Sequence, residues 1–100
     1  MGTAKEPAPK RKGTPRTPEP CFTYVLGSRK GQDARTYVGW TNDLDKRLAA
    51  HNDGTGAKST RGRQWVLLYA ERHNTRGDAM SREWHLKRNR KFRREIASLL

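Results

Sequence analysis

The chain has 100 residues, of which 32% are hydrophobic and 32% are charged, and 22 Lys and Arg against 10 Asp and Glu give it a formal net charge of +12. This length allows at most one domain with a small core. The single cysteine, Cys21, excludes an internal disulfide framework and a cysteine-rich zinc site. The positive charge indicates a polyanionic partner, with nucleic acid ahead of an anionic membrane surface.

The chain contains no apolar run near the roughly 20 residues needed to cross a bilayer, and its N-terminus lacks the apolar stretch of a signal peptide. These features predict a cytoplasmic protein without a membrane partner, associated with the nucleoid if its source is bacterial. Residues 1–20 hold all five prolines and no aromatic residue, which predicts a disordered basic tail. The tail is interpreted either as a nonspecific phosphate-binding arm or as a solvated leader, and residues 21–100 as the folded domain.

The first ordered elements are predicted to be two strands. The segments "CFTYVLGS", 21–28, and "RTYVGW", 35–40, are rich in aromatic and β-branched residues and flank a polar turn. They are expected to pair as an antiparallel hairpin. Tyr24 and Tyr37 then lie on neighbouring strands.

A helix is predicted next, capped by Thr41 or Asn42, with acidic residues in its first turn where the helix dipole favours them. Arg47 and His51 follow one turn apart, and at about 100° per residue they project on one edge of the apolar stripe. They are either ordinary flank residues of a surface helix or two groups that reach a common site beside the sheet. The acidic residues are Asp43 and Asp45, and the stripe consists of Leu44 and Leu48.

The segment 52–64, "NDGTGAKSTRGRQ", is too rich in glycine and polar residues to be predicted as anything but a loop. Through its amides and Lys58, Arg61 and Arg63 it can track a nucleic-acid backbone, or it is a flexible connector. "WVLLYAER", 65–72, is predicted as a third strand, apolar enough to be central.

The C-terminal part is predicted to be helical, beginning at Ala79 with Asp78 as its cap and broken near Asn89. The order is therefore ββαβα(α), an α+β fold with a small three-stranded antiparallel sheet flanked by helices. Met80 and Trp84, before the break, are expected to face inward, and Phe92, Ile96 and Leu99, after it, keep helical spacing but on a different face.

Glu83 lies one helical turn before Lys87, among several arginines. The simplest interpretation is a surface ion pair. The alternative is a metal site, because a carboxylate among phosphate-binding cations would repel phosphates unless it held an ion, and Mg²⁺ often takes only one or two carboxylates.

Taken together, five segments resemble the GIY-YIG nuclease superfamily, in its small single-domain branch. They are "FTY", "YVG", "DLDKRLAAHN", "GTGAKSTRGRQW" and "AMSREWHLK", and the resemblance runs from Phe22 to Arg94. They are also similar to the catalytic domain of the structure-selective endonuclease that cuts branched DNA. Phe22 stands where the family name has glycine.

The resemblance implies a role for each of several residues. Arg47 would contact the scissile phosphate, His51 would be the additional helix residue of this branch, and Glu83 the single metal-binding glutamate. Tyr24 and Tyr37 would be the signature tyrosines, and Gly39 would let backbone approach closely at the site. The candidate nucleic-acid-binding residues are Gly39, Lys58, Arg61, Arg63 and Lys87.

The implied function is a metal-dependent DNA endonuclease of DNA repair or recombination, acting on DNA that includes branched or flapped forms. One Mg²⁺ or Mn²⁺ on Glu83 would neutralise charge on the phosphate. A tyrosine helped by Arg47 and the metal, or His51, would take the proton of the attacking water. The alternative is a nucleic-acid-binding module that kept the fold without the chemistry, and both tyrosines, Arg47, His51 and Glu83 together favour the enzyme.

Overall fold

The computed structural model describes residues 20–100 and has the predicted ββαβαα order. The predicted tail, residues 1–20, lies outside the described residues apart from Pro20, so the domain start at residue 21 stays a prediction. The elements are β1 (Cys21–Lys30), β2 (Asp33–Thr41), α1 (Leu44–Asp53), a short 3-10 turn (Lys58–Thr60), β3 (Val66–His73), α2 (Arg76–Arg88) and α3 (Arg90–Ala97).

The hairpin of β1 and β2 is antiparallel, as predicted, and pairs residues from Phe22↔Thr41 to Lys30↔Asp33. Its turn is shorter than the sequence suggested. Only two residues separate the strands, and Gly31 adopts a φ of 63°, the left-handed conformation that tight hairpin turns need. The polar residues on either side of the turn therefore extend the strands.

The sheet order is β2-β1-β3, so the expectation that β3 is central was wrong. β3 pairs only with β1, with an irregularity that leaves Leu68 without a partner in the ladder between Val25↔Tyr69 and Leu26↔Leu67. Val66 remains 52% exposed. The apolar run of β3 shows that the strand is hydrophobic but not where it lies in the sheet. β1 is central because it pairs with β2 along one edge and with β3 along the other.

Successive residues of β1 face opposite sides of the sheet and enter two separate core clusters. On one side Tyr24 and Leu26 pack with Trp65, against Leu44 and Leu48 of α1. On the other side Val25 packs with Val38 and with Leu86 of α2, against Phe92 and Ile96 of α3. The sheet thus lies between α1 and the α2–α3 pair.

The N-cap of α1 is Asp43, whose side chain accepts a hydrogen bond from the amide of Lys46. The predicted caps, Thr41 and Asn42, were therefore wrong by one or two residues. Thr41 instead accepts a hydrogen bond from the amide of Asp43 at 3.1 Å. The helix ends at Asp53 and is capped by Gly54, which has a φ of 89°, the left-handed conformation common after helix C-termini.

The N-cap of α2 is Thr75, which accepts a hydrogen bond from the amide of Asp78, so the predicted cap at Asp78 was three residues late. The expectation that Met80 and Trp84 face inward was also wrong, since they are 47% and 53% exposed. The helix instead buries Ala79 and Leu86.

The predicted break near Asn89 is confirmed. Asn89 follows α2 and caps α3 by accepting a hydrogen bond from the amide of Phe92. Phe92 and Ile96 pack inward, but Leu99 lies beyond the helix and is exposed. No helix within residues 20–100 is long and apolar enough to span a membrane.

Candidate active site

Tyr24 lies directly over Gly39, its partner in the β1–β2 ladder. A Cβ added at Gly39 would lie 2.5 Å from the Tyr24 hydroxyl oxygen and 2.8 Å from Cζ, with Tyr37 also in contact at 3.1 Å. Real Cβ atoms essentially never come this close to another heavy atom. Gly39 is thus the residue that lets the Tyr24 phenol lie flat on the hairpin.

The Tyr24 hydroxyl is hydrogen-bonded to Nε2 of His51, with 2.9 Å between the two atoms. The ring of Tyr37 also packs on the His51 ring, with 4.8 Å between the centroids. His51 is fully buried, although the sequence placed it at the edge of a helical stripe. The three predicted site residues are therefore brought together at the contact between the hairpin and α1.

The tautomer of His51 follows from its second partner, Thr60. Nδ1 of His51 lies 2.9 Å from the Thr60 hydroxyl, and that hydroxyl donates its only proton to the carbonyl of Ala57 at 2.8 Å. Thr60 must therefore accept from His51, which places the imidazole proton on Nδ1. Nε2 is left as an acceptor, and the Tyr24 hydroxyl donates to it.

The loop 54–64 is folded back over His51 by contacts that sequence analysis did not find. Trp65 donates from Nε1 to the carbonyl of Thr60 at 2.8 Å. Asn52 accepts from the amide of Trp65 at 2.6 Å and donates to its carbonyl at 3.1 Å. A Cβ at Gly56 would lie 2.6 Å from Nδ1 of His51. These positions lie in two of the segments that carry the family resemblance, "DLDKRLAAHN" and "GTGAKSTRGRQW".

The electrostatic surroundings keep both members of the hydrogen-bonded pair uncharged near neutral pH. Burial raises the pKa of the Tyr24 hydroxyl, the nearby Arg47 guanidinium acts in the opposite direction, and the negative charges of Glu83 and of Tyr37, once it is ionised, raise that pKa further. Burial lowers the pKa of His51, and the charge of Arg47 lowers it further. Arg47 and Glu83 are thus both electrostatic neighbours of Tyr24.

Glu83 and Lys87 form the ion pair that the simplest interpretation of the sequence predicted, with 3.4 Å between Nζ of Lys87 and Oε2 of Glu83. Within residues 20–100 there is no group of three or more His, Cys, Asp or Glu that could hold a metal. A single carboxylate does fit Mg²⁺, which usually keeps several waters and binds through one or two carboxylates plus substrate phosphate.

A cleft of about 260 Å³ opens beside α1 and is lined by Lys46 and Arg47 together with Asp43. The predicted loop cations divide into two kinds. Lys58 and Arg61 are exposed. Arg63 is 8% exposed and bound to the hairpin, donating to the Ser28 hydroxyl at 3.1 Å and to the Asp33 carboxylate at 2.9 Å. Its guanidinium is already used within the protein.

The chain belongs to the GIY-YIG family, since the model of the GIY-YIG catalytic domain matches residues 20–95. It is 47% identical over 68 residues to a UPF0213 protein of Clostridium perfringens, covering 67% of this chain and 70% of that protein. It is 42% identical over 76 residues to the UPF0213 protein YazA of Bacillus subtilis, covering 75% of this chain and 74% of that protein. A solution NMR structure of a UPF0213 protein from Bacillus halodurans is 32% identical, covers 80% of this chain and 84% of that one, and superimposes with a TM-score of 0.45.

Proposed function

We propose that the protein is a metal-dependent endonuclease that hydrolyses phosphodiester bonds in DNA. Membership of a catalytic-domain family implies a nucleic-acid substrate, and the net charge of +12 suits one. The observation that carries the proposal is the hydrogen bond from Tyr24 to the bare Nε2 of a buried histidine. The bond joins β1 to α1, and it also gives the proposed catalytic phenol a neutral base that can take its proton.

The Tyr24–His51 pair can take the proton of the attacking water. A phenol with a raised pKa is a poor base by itself. As the phenol oxygen accepts a proton from water, its own proton can pass to Nε2 of His51 across 2.9 Å. The hydrogen bond from Nδ1 to Thr60 holds the ring in the orientation and tautomer that this transfer needs.

Arg47 is proposed to bind the phosphate that is cut. Its guanidinium is close enough to Tyr24 to oppose the rise in the pKa of that phenol, and Arg47 lines the cleft beside α1, so it can donate to a phosphate oxygen next to the phenol. A fixed guanidinium aimed at the developing charge stabilises the transition state more than the ground state. Lys46 lines the same cleft and adds a second positive charge.

Glu83 is proposed to hold one Mg²⁺ or Mn²⁺. When bound, such an ion neutralises charge on the phosphate and on the leaving oxygen. Lys87 does not block this role, because a surface i, i+4 ion pair stabilises the helix by only about 0.3–0.5 kcal/mol and the Lys87 side chain is half exposed.

The second candidate is a non-catalytic nucleic-acid-binding module of the same fold, and the Glu83–Lys87 ion pair favours it, because it gives the carboxylate a partner without a metal. A role in DNA repair or recombination, a cytoplasmic or nucleoid location, and a preference for branched or flapped DNA remain hypotheses drawn from the family resemblance.

The test is to incubate the purified protein with linear, nicked, flap and four-way DNA in Mg²⁺, Mn²⁺ or EDTA and to map the cut ends. We expect cleavage with a divalent ion and none in EDTA. Glu83→Gln should abolish cleavage while binding persists or strengthens, because a negative charge leaves a site that faces phosphates. Glu95→Gln is the matched control, since it removes an exposed carboxylate of α3 and leaves α2 unchanged, and it should retain cleavage. Arg47→Ala should abolish cleavage and weaken binding.

Two results would overturn the proposal. Cleavage by Glu83→Gln at the rate of the parent would show that any activity is a contaminant or is built from other residues. The absence of cleavage on every DNA form, with binding intact, would establish the binding module.

A further inference from the structure

A second basic site lies at the hairpin end of the sheet, where α3 crosses β1 and β2. It is a pocket of about 410 Å³ lined by Arg29 of β1, by Ala34 and Thr36 of β2, and by Arg90, Arg93 and Arg94 of α3. Four of its lining residues are therefore arginines, brought together from segments some 60 residues apart in the chain.

This pocket lies on the other face of the sheet from the Tyr24–His51 site. Arg29 has the same parity along β1 as Val25, which packs against α2 and α3, and opposite parity to Tyr24. The hydrogen bond from Arg93 to the Thr36 hydroxyl, at 3.3 Å, closes α3 onto the same face. The pocket is thus a separate site and not an extension of the first.

Arg93 lines the pocket and is partly buried. Its guanidinium donates to the carbonyl of Leu86 at 3.2 Å and to that of Lys87 at 2.8 Å, both near the C-terminal end of α2. The Leu86 carbonyl also accepts from the amide of Asn89 at 3.1 Å, and both carbonyls belong to the last turn of α2, where a helix needs partners from outside. Arg93 therefore has a structural role, and the other three arginines are the ones available to a ligand.

The exposed arginines Arg29, Arg90 and Arg94 form no ion pair with any acidic side chain in the part of the chain that the structure describes. Arg63 and Arg82, by contrast, are held by Asp33 and Glu71. Arg90 and Arg94 are also one helical turn apart, where like charges destabilise a helix. Such a cluster is favourable when an anion lies among its members, and guanidinium groups match the oxygens of a phosphate in a forked, bidentate geometry.

We propose that this pocket binds a backbone phosphate of the nucleic acid, as a second contact on the α3 face of the sheet. The inference takes the nucleic-acid partner from the proposed function but does not depend on cleavage. A nucleic acid that reaches both sites passes around β2, because β2 is an edge strand and β3 covers the other side of β1.

The test is to measure the affinity of the full chain for a short labelled duplex in EDTA, across a series of salt concentrations. Arg94→Gln and Arg29→Gln should each weaken binding several-fold and reduce the slope of log Kd against log salt by about 1. Lys91→Gln is the matched control, because it removes one positive charge from the exposed surface of α3 outside the pocket, and it should keep the parent slope. Thermal melts should show that all variants fold.

Equal affinity and slope for Arg94→Gln, Arg29→Gln and Lys91→Gln would overturn the inference. A rise in Tm with inorganic phosphate that Arg94→Gln abolishes, without any effect of that change on duplex binding, would also overturn it, because the pocket would then hold a small phosphate. Pocket-dependent binding by a parent protein that never cleaves DNA would support the inference and defeat the endonuclease. Cleavage by the parent, together with unaltered DNA binding by the pocket variants, would support the endonuclease and defeat the inference.

Discussion

The Tyr24 hydroxyl and Nε2 of His51 lie 2.9 Å apart, and this hydrogen bond joins the central strand to α1 inside the core cluster. The bond has a fixed direction, because Thr60 keeps the imidazole proton on Nδ1 and the phenol must donate. A buried phenol thus faces a buried neutral base. The properties of this pair can be tested without assuming any activity.

The first prediction concerns the pH dependence of stability. Burial and Arg47 hold the pKa of His51 below its ordinary value of 6.5, so the unfolded chain binds a proton at a higher pH than the folded protein does. The free energy of unfolding should therefore be unaffected by this group above about pH 6.5 and should fall as the pH drops below it, towards the folded pKa. The Tm of the parent should decrease over this range in circular-dichroism melts.

His51→Gln should lower the Tm at neutral pH and flatten its dependence below pH 6.5, because the titrating group is gone. His85→Gln, at an exposed position of α2, should keep the dependence of the parent. The carboxyl groups do not confuse the comparison, since the lowered pKa values of Glu71, Asp33 and Asp53 lie below the ordinary values of 4.5 for Glu and 3.8 for Asp. Parallel curves for His51→Gln and the parent would show that His51 is not buried in the neutral form.

The second prediction concerns the tautomer. Thr60→Val preserves the shape of the side chain but removes the acceptor of the Nδ1 proton, so we expect a loss of about 1–3 kcal/mol in the free energy of unfolding. The ring ¹⁵N shifts of His51 should report a protonated Nδ1 in the parent and a mixture of tautomers in the variant. Thr60→Ser should restore the parental shifts, and a protonated Nε2 in the parent would contradict the assignment.

The third prediction concerns the contact of Tyr24 with Gly39. Gly39→Ala would force the phenol off the hairpin, since Tyr24 is buried and the new Cβ would lie 2.5 Å from its hydroxyl. We expect overpacking to cost about 1–3 kcal/mol and to break the bond to His51. Gly77→Ala is the control, because its nearest neighbour would be 3.9 Å away, and it should be neutral or raise the Tm. Equal stability of the two variants would refute the close contact.

The fourth prediction separates structural from ligand-binding arginines in the loop. Arg63→Ala removes hydrogen bonds to Ser28 and Asp33 and should lower the free energy of unfolding by about 1.5–3 kcal/mol. Arg61→Ala, two residues away and exposed, should leave stability within about 0.5 kcal/mol and should weaken binding to DNA. Urea denaturation measures stability, and duplex titrations measure binding. A stability loss for Arg61→Ala and a binding loss alone for Arg63→Ala would contradict the assignment.

The composition of short segments predicted the helices and strands well, but the sheet order and the burial of single residues depend on tertiary contacts, which that composition does not report. The β-branched and aromatic run at 21–28 predicted β1, and the placement of Tyr24 and Tyr37 on neighbouring strands followed from the hairpin. The apolar run at 65–72 misled about sheet order, because hydrophobicity does not report which neighbours cover a strand. The prediction that Trp84 faces the core failed for the same reason. Its ring is covered by the Arg88 guanidinium, 3.6 Å from the ring centroid, instead of by the core.

The candidate site was predicted in part. Helical spacing placed Arg47 and His51 on one side of α1, but it could not show that His51 is enclosed. That enclosure depends on Thr60 and Gly56, which lie in a segment that the sequence predicted only as a loop, either tracking a nucleic-acid backbone or connecting flexibly. Loop residues that fold back on a helix leave no periodic pattern in the sequence, so the tautomer of His51 could be learned only from the structure.

The alternation along β1 also determines where the chain tolerates insertions and deletions. One residue added between Tyr24 and Leu26 would turn the rest of the strand over, exchanging residues of the Tyr24 side with residues of the α2–α3 side. An edge strand bends more easily, and β3 already accommodates an extra residue at Leu68. The Gly31–Gln32 turn lies beyond the last ladder pair, Lys30↔Asp33, and lengthening it costs only loop-closure entropy, which grows slowly with length. Changes in length among proteins with this architecture should therefore collect at the hairpin turn and along β3, and should avoid β1.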